Sequence, residues 1–284
     1  MLFLSMSGFV TIGGNSQGSV YHQEVELYDT TTRAWSRLPD MNVRRGCRPG
    51  AVVVQRIDGP RIYAFGGYNG KAVLDSCEFL DVGGGQWNLI EHTMNTPRSS
   101  TCAVLLDHDT VVISGGFLPN TPIETASCES FNLTSHTFSS FPDMICHRAS
   151  HAGVHYNGTV VVMGGYGSSR TCEQFDSDLV KWIPLARLNV SRTGFGAAVV
   201  GGMIYVAGDD NTMEIYDGSV WNVIWTCIKR PAFANVVACD GKVIIIIIGG
   251  FDNSINEYDP STQLVSVTSI RIPTTRYRLA AVSF

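Results

Sequence analysis

Clustered or recurring histidine, cysteine, carboxylate and guanidinium groups are where this chain could do chemistry. His147, His151 and His155 follow Cys146 at steps of four, which on one helical face would gather three imidazoles around a metal ion. The segment reads instead as a strand, where four residues cover about 13 Å, too far to close on one ion. Asp107-His108-Asp109 lies between two apolar runs and reads as turn chemistry. A Glu and an Arg return along the chain in a fixed order, and a ring of carboxylates could be catalytic. Near-identical spacing in every copy speaks for a structural pair, because a reaction happens at one place and breaks the repeat. Gly14-Asn15-Ser16-Gln17-Gly18 matches the letters Gly-x-Ser-x-Gly, but no helical pattern follows it, so no nucleophile elbow is expected, and Gly83-Gly84-Gly85 opens no helix that could hold a phosphate. No catalytic set, metal or cofactor is expected.

What positions these residues is a repeat. Tyr63-Ala64-Phe65-Gly66-Gly67 is a short apolar run ending in a glycine pair, and the same mark returns at Gly13-Gly14, Gly115-Gly116, Gly164-Gly165 and Gly249-Gly250, with Ala207-Gly208 as a worn copy. Successive steps are 53, 49, 49, 43 and 42 residues, a period that signals a repeat architecture. After the pair comes a Glu three residues before an Asp or Asn, at Glu26, Glu78, Glu129, Glu173 and Glu214, while the sixth copy reads Asn256-Glu257-Tyr258-Asp259. A large aromatic follows at Trp35, Trp87, Phe138 and Trp182, with Trp221 or Trp225 in the shortened fifth copy and only Val265 in the sixth. Next come an Arg (Arg44 or Arg45, Arg98, Arg148, Arg192, Arg230, Arg276) and a small-residue run such as Cys102-Ala103-Val104.

Each copy reads as four short strands, in the second Ala51–Gln55, Arg61–Phe65, Asp75–Leu80 and Gln86–Ile90, with turn residues between them and no helical period. One such sheet cannot bury both its faces. Packed against two neighbours around an axis it can, with the small-residue strand innermost and the Trp strand at the rim. The fold class expected is all-β, a six-bladed β-propeller with four antiparallel strands per blade, one domain over 1–284. Its blades are expected at 1–45 plus 277–284, 46–97, 98–147, 148–191, 192–229 and 230–276. Leu279–Val282 is an innermost-type run with no glycine-pair strand after it, so the C-terminal strand is expected to complete blade 1, in competition with Leu2–Met6.

These marks together resemble the kelch repeat over essentially the whole chain. The resemblance implies a protein–protein interaction module, a substrate-recognition or scaffold propeller that grips a partner peptide or loop at one mouth of its channel. In kelch propellers that dock peptides, the mouth is lined by the loop after the glycine pair and by the residue after the repeat Arg. Carried over position by position, this implies Asn15, Tyr68 with its neighbour Asn69, Phe117, Tyr166, Asp209 and Phe251 from the first set. The second set is Gly46, Ser99, Ala149, Thr193, Pro231 and Tyr277. Asp209, Asp210 and Asp252 would make one side acidic, with Arg48 a cation on another; several arginines of the acidic-peptide binders are missing. The alternatives are a small-molecule enzyme of the sugar-mutarotase type, marked by a lone Glu, His or Arg breaking the symmetry of the channel, and a structural subunit of a cytoskeletal or other large assembly. No BTB, BACK or F-box segment that would couple a propeller to a ubiquitin ligase accompanies the repeats, so a stand-alone scaffold or a propeller from a longer protein is expected.

Composition narrows the partners. The net charge is −5 and no Lys/Arg cluster appears, which speaks against nucleic acid. Val243–Ile248 is too short to span a bilayer, and the apolar N-terminus lacks a basic n-region, so neither a membrane nor a signal peptide is expected. Of eight cysteines, Cys77, Cys128 and Cys172 share one repeat position that elsewhere holds Val25 or Met213. Such exchange with apolar residues suits buried free thiols and a cytoplasmic location.

Overall fold

The computed structural model describes residues 7–121, 123–225, 233–248 and 254–284. They form six four-stranded antiparallel sheets arranged as the blades of a propeller. Blade 2 is typical: Gly50–Val54, Arg61–Phe65, Cys77–Asp81 and Asn88–Leu89, in that order from the axis outward. Blades 3 to 6 begin with the inner strands Cys102–Leu105, Ala152–Tyr156, Gly196–Val200 and Phe233–Cys239. No helix among the described residues is long and apolar enough to cross a membrane.

Burial follows position in the blade. The second strand, Arg61–Phe65 in blade 2, is buried at all but its first residue, because neighbouring blades cover both its faces. The outermost strand of blade 1, Ala34–Leu38, is largely exposed. Between blades lie apolar cores in which each blade packs on the next. Tyr63 and Phe65 of blade 2 meet Val111, Ile113 and Phe131 of blade 3, and Phe9 and Tyr28 of blade 1 meet Val237, Ile244 and Ile255 of blade 6. The recurring cysteines Cys77, Cys128 and Cys172 are buried free thiols, and desolvation pushes each pKa up to about 12.

Blade 1 is closed by the C-terminal strand. Ala280–Ser283 pairs with Gly8–Ile12 in the register Ile12↔Ala280 to Phe9↔Ser283; Leu2–Met6 lie outside the described residues. The innermost strands are crowded enough to demand small side chains. A Cβ on Gly196 would run into the main chain of Val236, and one on Gly153 would come within 2.8 Å of Cys102 Sγ.

The glycine pairs are needed for their backbone. Gly66 and Gly67 have φ of 61° and 99°, and Gly164 and Gly165 have 61° and 93°, values that L side chains adopt only with strain. A Cβ on Gly66 would also collide with the carbonyl of Arg98. In blade 5 the surviving residue is the first of the pair. Arg192 Nη1 donates to Gly208 O at 2.9 Å as Arg148 does to Gly164 O at 2.7 Å, so Asp209, with φ 71°, stands where other blades have the second glycine. The worn copy is thus Gly208-Asp209, one residue later than the sequence alone indicated, because an aspartate tolerates the left-handed region well enough to replace glycine. Gly249 and Gly250 lie outside the described residues.

Candidate functional site

Each repeat Arg staples one blade to the next. Arg45 O accepts from Gly14 N of blade 1 at 2.9 Å. Its guanidinium turns the other way, donating to Glu78 Oε1 at 2.8 Å, Gly66 O at 2.8 Å and Ser76 O at 2.7 Å in blade 2. Glu78 Oε2 in turn accepts from Asn42 N at 2.8 Å. The same arrangement holds for Arg98 with Glu129, Arg148 with Glu173, Arg192 with Glu214 and Arg276 with Glu26, at 3.0, 2.7, 3.1 and 2.6 Å. In the sixth copy Arg230 lies outside the described residues and the position of the repeat Glu holds the buried Asn256, whose neighbour Glu257 meets Lys242 at 3.1 Å. The paired groups are completely or almost completely buried, which makes this ring structural and keeps it out of solvent. Removing one partner of such a pair costs about 3–5 kcal/mol, since the other charge stays buried alone.

Tryptophan adds a second staple. The indole N–H of Trp87 donates to Pro39 O at 2.9 Å, that of Trp182 to Pro142 O at 2.8 Å, and that of Trp221 to Ala186 O at 3.0 Å, each in the loop leaving the previous blade. Trp221 is therefore the residue that fills the repeat position in blade 5. Trp35 is only half-buried and its Nε1 has no acceptor.

The two sets of mouth residues lie against one another. Asn15 bridges Tyr277, Gly46 bridges Tyr68, Ser99 bridges Phe117 and Ala149 bridges Tyr166, so in blades 1 to 4 the loop after the glycine pair is zipped to the segment that leads into the innermost strand of the same blade. Ser99 and Ala149 are buried by this pairing. Tyr68, Asn69, Phe117 and Tyr277 are partly exposed, and Tyr166 is 40% exposed. Phe117 and Tyr166 approach to 5.8 Å between ring centroids. Tyr68 meets Tyr21 edge-on at 5.1 Å. Tyr21 comes from a small hairpin, Asn15–Ser16 with Val20–Tyr21, and was not singled out in the sequence; its only signal there is an aromatic between a glycine pair and the next Glu. In blade 5 the Asp209 carboxylate accepts from Thr193 N and Oγ1 at 2.8 and 2.9 Å, and Asp210 accepts from Arg192 at 3.0 Å. Two of the carboxylates thought to make the mouth acidic are thus already engaged. Asp252, Phe251 and Pro231 lie outside the described residues.

Just inside this mouth, main-chain bonds link the blades around the axis: Ser100 N to Cys47 O at 2.6 Å, Ser150 N to Ser100 O at 2.8 Å, Gly194 N to Ser150 O at 2.9 Å and Arg48 N to Arg278 O at 2.7 Å. The channel beyond is a cavity of about 370 Å³ bounded by the six innermost strands. The three histidines do not converge. His147 Nδ1 meets Glu124 O at 3.0 Å, His155 Nδ1 meets Leu105 O at 2.9 Å and His151 Nε2 meets Ser114 Oγ at 2.9 Å. His155 sits within its strand and does not flank it.

The family model described as the KLHDC2/KLHL20/DRC7 Kelch-repeats domain matches residues 3–209. The chain belongs to the kelch-repeat family. Among kelch relatives, Kelch-like protein 23 of Homo sapiens is 24% identical over 198 residues, 66% of this chain and 33% of that protein. Kelch domain-containing protein 8B of Rattus norvegicus is 28% identical over 157 residues, 52% of this chain and 43% of its own length. A Caenorhabditis elegans relative, Kelch repeat and BTB domain-containing protein F47D12.7, is 35% identical over 102 residues, 36% of this chain and 17% of that protein. The chain spans about a third of the length of the Kelch-like protein 23 relatives, at 33%. The kelch propeller is commonly an interaction module, and in this one the five described Arg–Glu pairs are taken up by blade assembly.

Proposed function

We propose that this kelch propeller is a protein-interaction module that receives a peptide or loop of a partner protein on the mouth bearing Tyr21, Tyr68, Phe117, Tyr166 and Tyr277. The observation that carries this reading is the pair of aromatic contacts, Tyr21 with Tyr68 and Phe117 with Tyr166, left partly open on loops that main-chain bridges within each blade hold in place. Rigid aromatics with a polar tip make good anchors at small entropic cost. Blade 5 adds a polar edge through Thr193 and Asp209.

The test is affinity capture from cell extract, comparing wild type with Tyr68→Ala/Phe117→Ala/Tyr166→Ala after both are shown to melt alike. A partner captured by wild type and lost by the triple variant is the expected result. A partner retained by both would move recognition to the blade edges and favour the structural-subunit reading. A small-molecule function inside the channel has one observation on its side, the symmetry-breaking residue Arg48.

A further inference from the structure

Blade 2 carries one more residue than its neighbours between the repeat Arg and the innermost strand. That strand begins five residues after Arg45, at Gly50, but four after Arg98, Arg148, Arg192 and Arg276, at Cys102, Ala152, Gly196 and Ala280. The neighbouring blades absorb one left-handed residue at this point: Ser100, Ser150, Gly194 or Arg278. Blade 2 has two in a row, Cys47 and Arg48, with φ of 52° and 56°. The ring of main-chain bonds is split accordingly, with Cys47 O accepting from Ser100 and Arg48 N donating to Arg278. The insertion swings Arg48 off the mouth, where the sequence suggested a surface cation, and into the channel.

Its side chain crosses that channel from blade 2 to the opposite blades. Nη1 donates to Ser150 O at 3.4 Å and Nη2 to Phe195 O. Both acceptors are neutral carbonyls, and no carboxylate among the described residues pairs with this guanidinium, unlike those of the repeat arginines. Burial lowers its pKa from 12.5 to about 10, with the Cys102 thiol opposing the shift and no carboxylate doing so. The walls beyond it include Ala51, Ala103, Ala197 and Ala281 together with His151 and His155, and no Asp or Glu lines the cavity. The nearby Cys102 thiol, pushed up to about 11 by desolvation, stays uncharged and supplies no counter-ion.

We infer that the channel behind Arg48 is a binding site for a small monocarboxylate with an apolar body. A planar guanidinium with N–H groups to spare matches a carboxylate in a bidentate fork. One cation in a cavity without carboxylates is balanced by one negative charge, whereas a phosphate dianion would leave the excess uncompensated. A cavity of about 370 Å³ is of ligand size. The inference does not depend on the mouth being a peptide site.

Benzoate, with benzamide as its uncharged counterpart, is the probe. Wild type, Arg48→Met and Arg48→Lys are titrated with each, following the melting temperature and the backbone amide signals of Ala103, Gly153 and Ala197. Benzoate is expected to raise the wild-type melting temperature and shift those signals in a saturable way. Arg48→Met should weaken binding at least tenfold, Arg48→Lys should weaken it less, and benzamide should have no effect. The inference is overturned if benzoate leaves wild type unchanged, if wild type and Arg48→Met respond alike, or if benzamide acts as well as benzoate. Arg48→Lys retains a side chain that can cross the channel, so it provides the comparison should Arg48→Met not fold.

Discussion

His151 lies in the field of three guanidiniums, Arg148, Arg48 and Arg98, and is buried. Desolvation first, and those cations second, hold its pKa well below the ordinary 6.5. The unfolded chain therefore takes up the proton before the folded one does. Stability drawn from the neutral imidazole is complete above 6.5 and lost as pH falls below it toward the folded value. The melting temperature of wild type should drop between about pH 7 and about pH 5, and His151→Gln should flatten that limb. Parallel curves for the two proteins would refute the assignment. At this scale the sequence pointed to Arg and Glu as structural partners but not to which Glu each Arg meets. Burial and pairing depend on a loop from one blade reaching under the glycine pair of the next. His151 was legible only as one of three histidines at metal spacing, and its environment is a product of packing.

Strands were easier to read than their ends. Arg61–Phe65 is the strand expected, whereas the outermost strand of blade 2 shrinks from the expected Gln86–Ile90 to Asn88–Leu89. Trp87 lies just outside this short strand and bonds to Pro39 O of the previous blade. That contact sets an expectation for the tryptophan positions. Trp87→Ala should cost about 3–5 kcal/mol, as a large buried side chain replaced by a small one. Trp35→Ala should cost clearly less, because its ring is half-exposed and its indole N–H makes no bond. Urea unfolding of the two variants checks the order, and equal losses would mean that the interblade tryptophan contact is not what stabilises the blade. Val265, the sixth-copy residue at this position, sits in a long outer strand, Leu264–Arg271, whose side chains are mostly exposed.

For the molecule as a whole, closure is the decisive step. Ala280–Ser283 fills the inner edge of blade 1, and Arg276 ties the same segment to Gly13 O and Glu26 at 2.6 Å each. Deleting residues 280–284 would leave Gly8–Ile12, completely buried in the intact ring, with an open strand edge. The truncated chain is expected to lose its cooperative melt and to self-associate, as read by calorimetry and light scattering. A monomer with a native-like melt would show that the ring does not need this closure. The small residues of the inner strands answer to the close approach of adjacent blades, as at Gly196 against Val236 and Gly153 against Cys102.

Amino-acid order alone determined that this is a six-bladed kelch propeller. A repeat of glycine pair, Glu, aromatic, Arg and small strand is a local pattern, and each copy satisfies the same local geometry. Where the copies differ, only the tertiary structure decided the outcome. The extra residue before Gly50 could be counted in the sequence, but whether its arginine faced solvent, the mouth or the axis depended on the fit of blade 2 against blades 4 and 5. Likewise, Asp209 could replace a glycine because the bond from Arg192 to Gly208 fixes the register there. Repetition is written in short-range spacing, whereas its exceptions are resolved by which distant blade they meet.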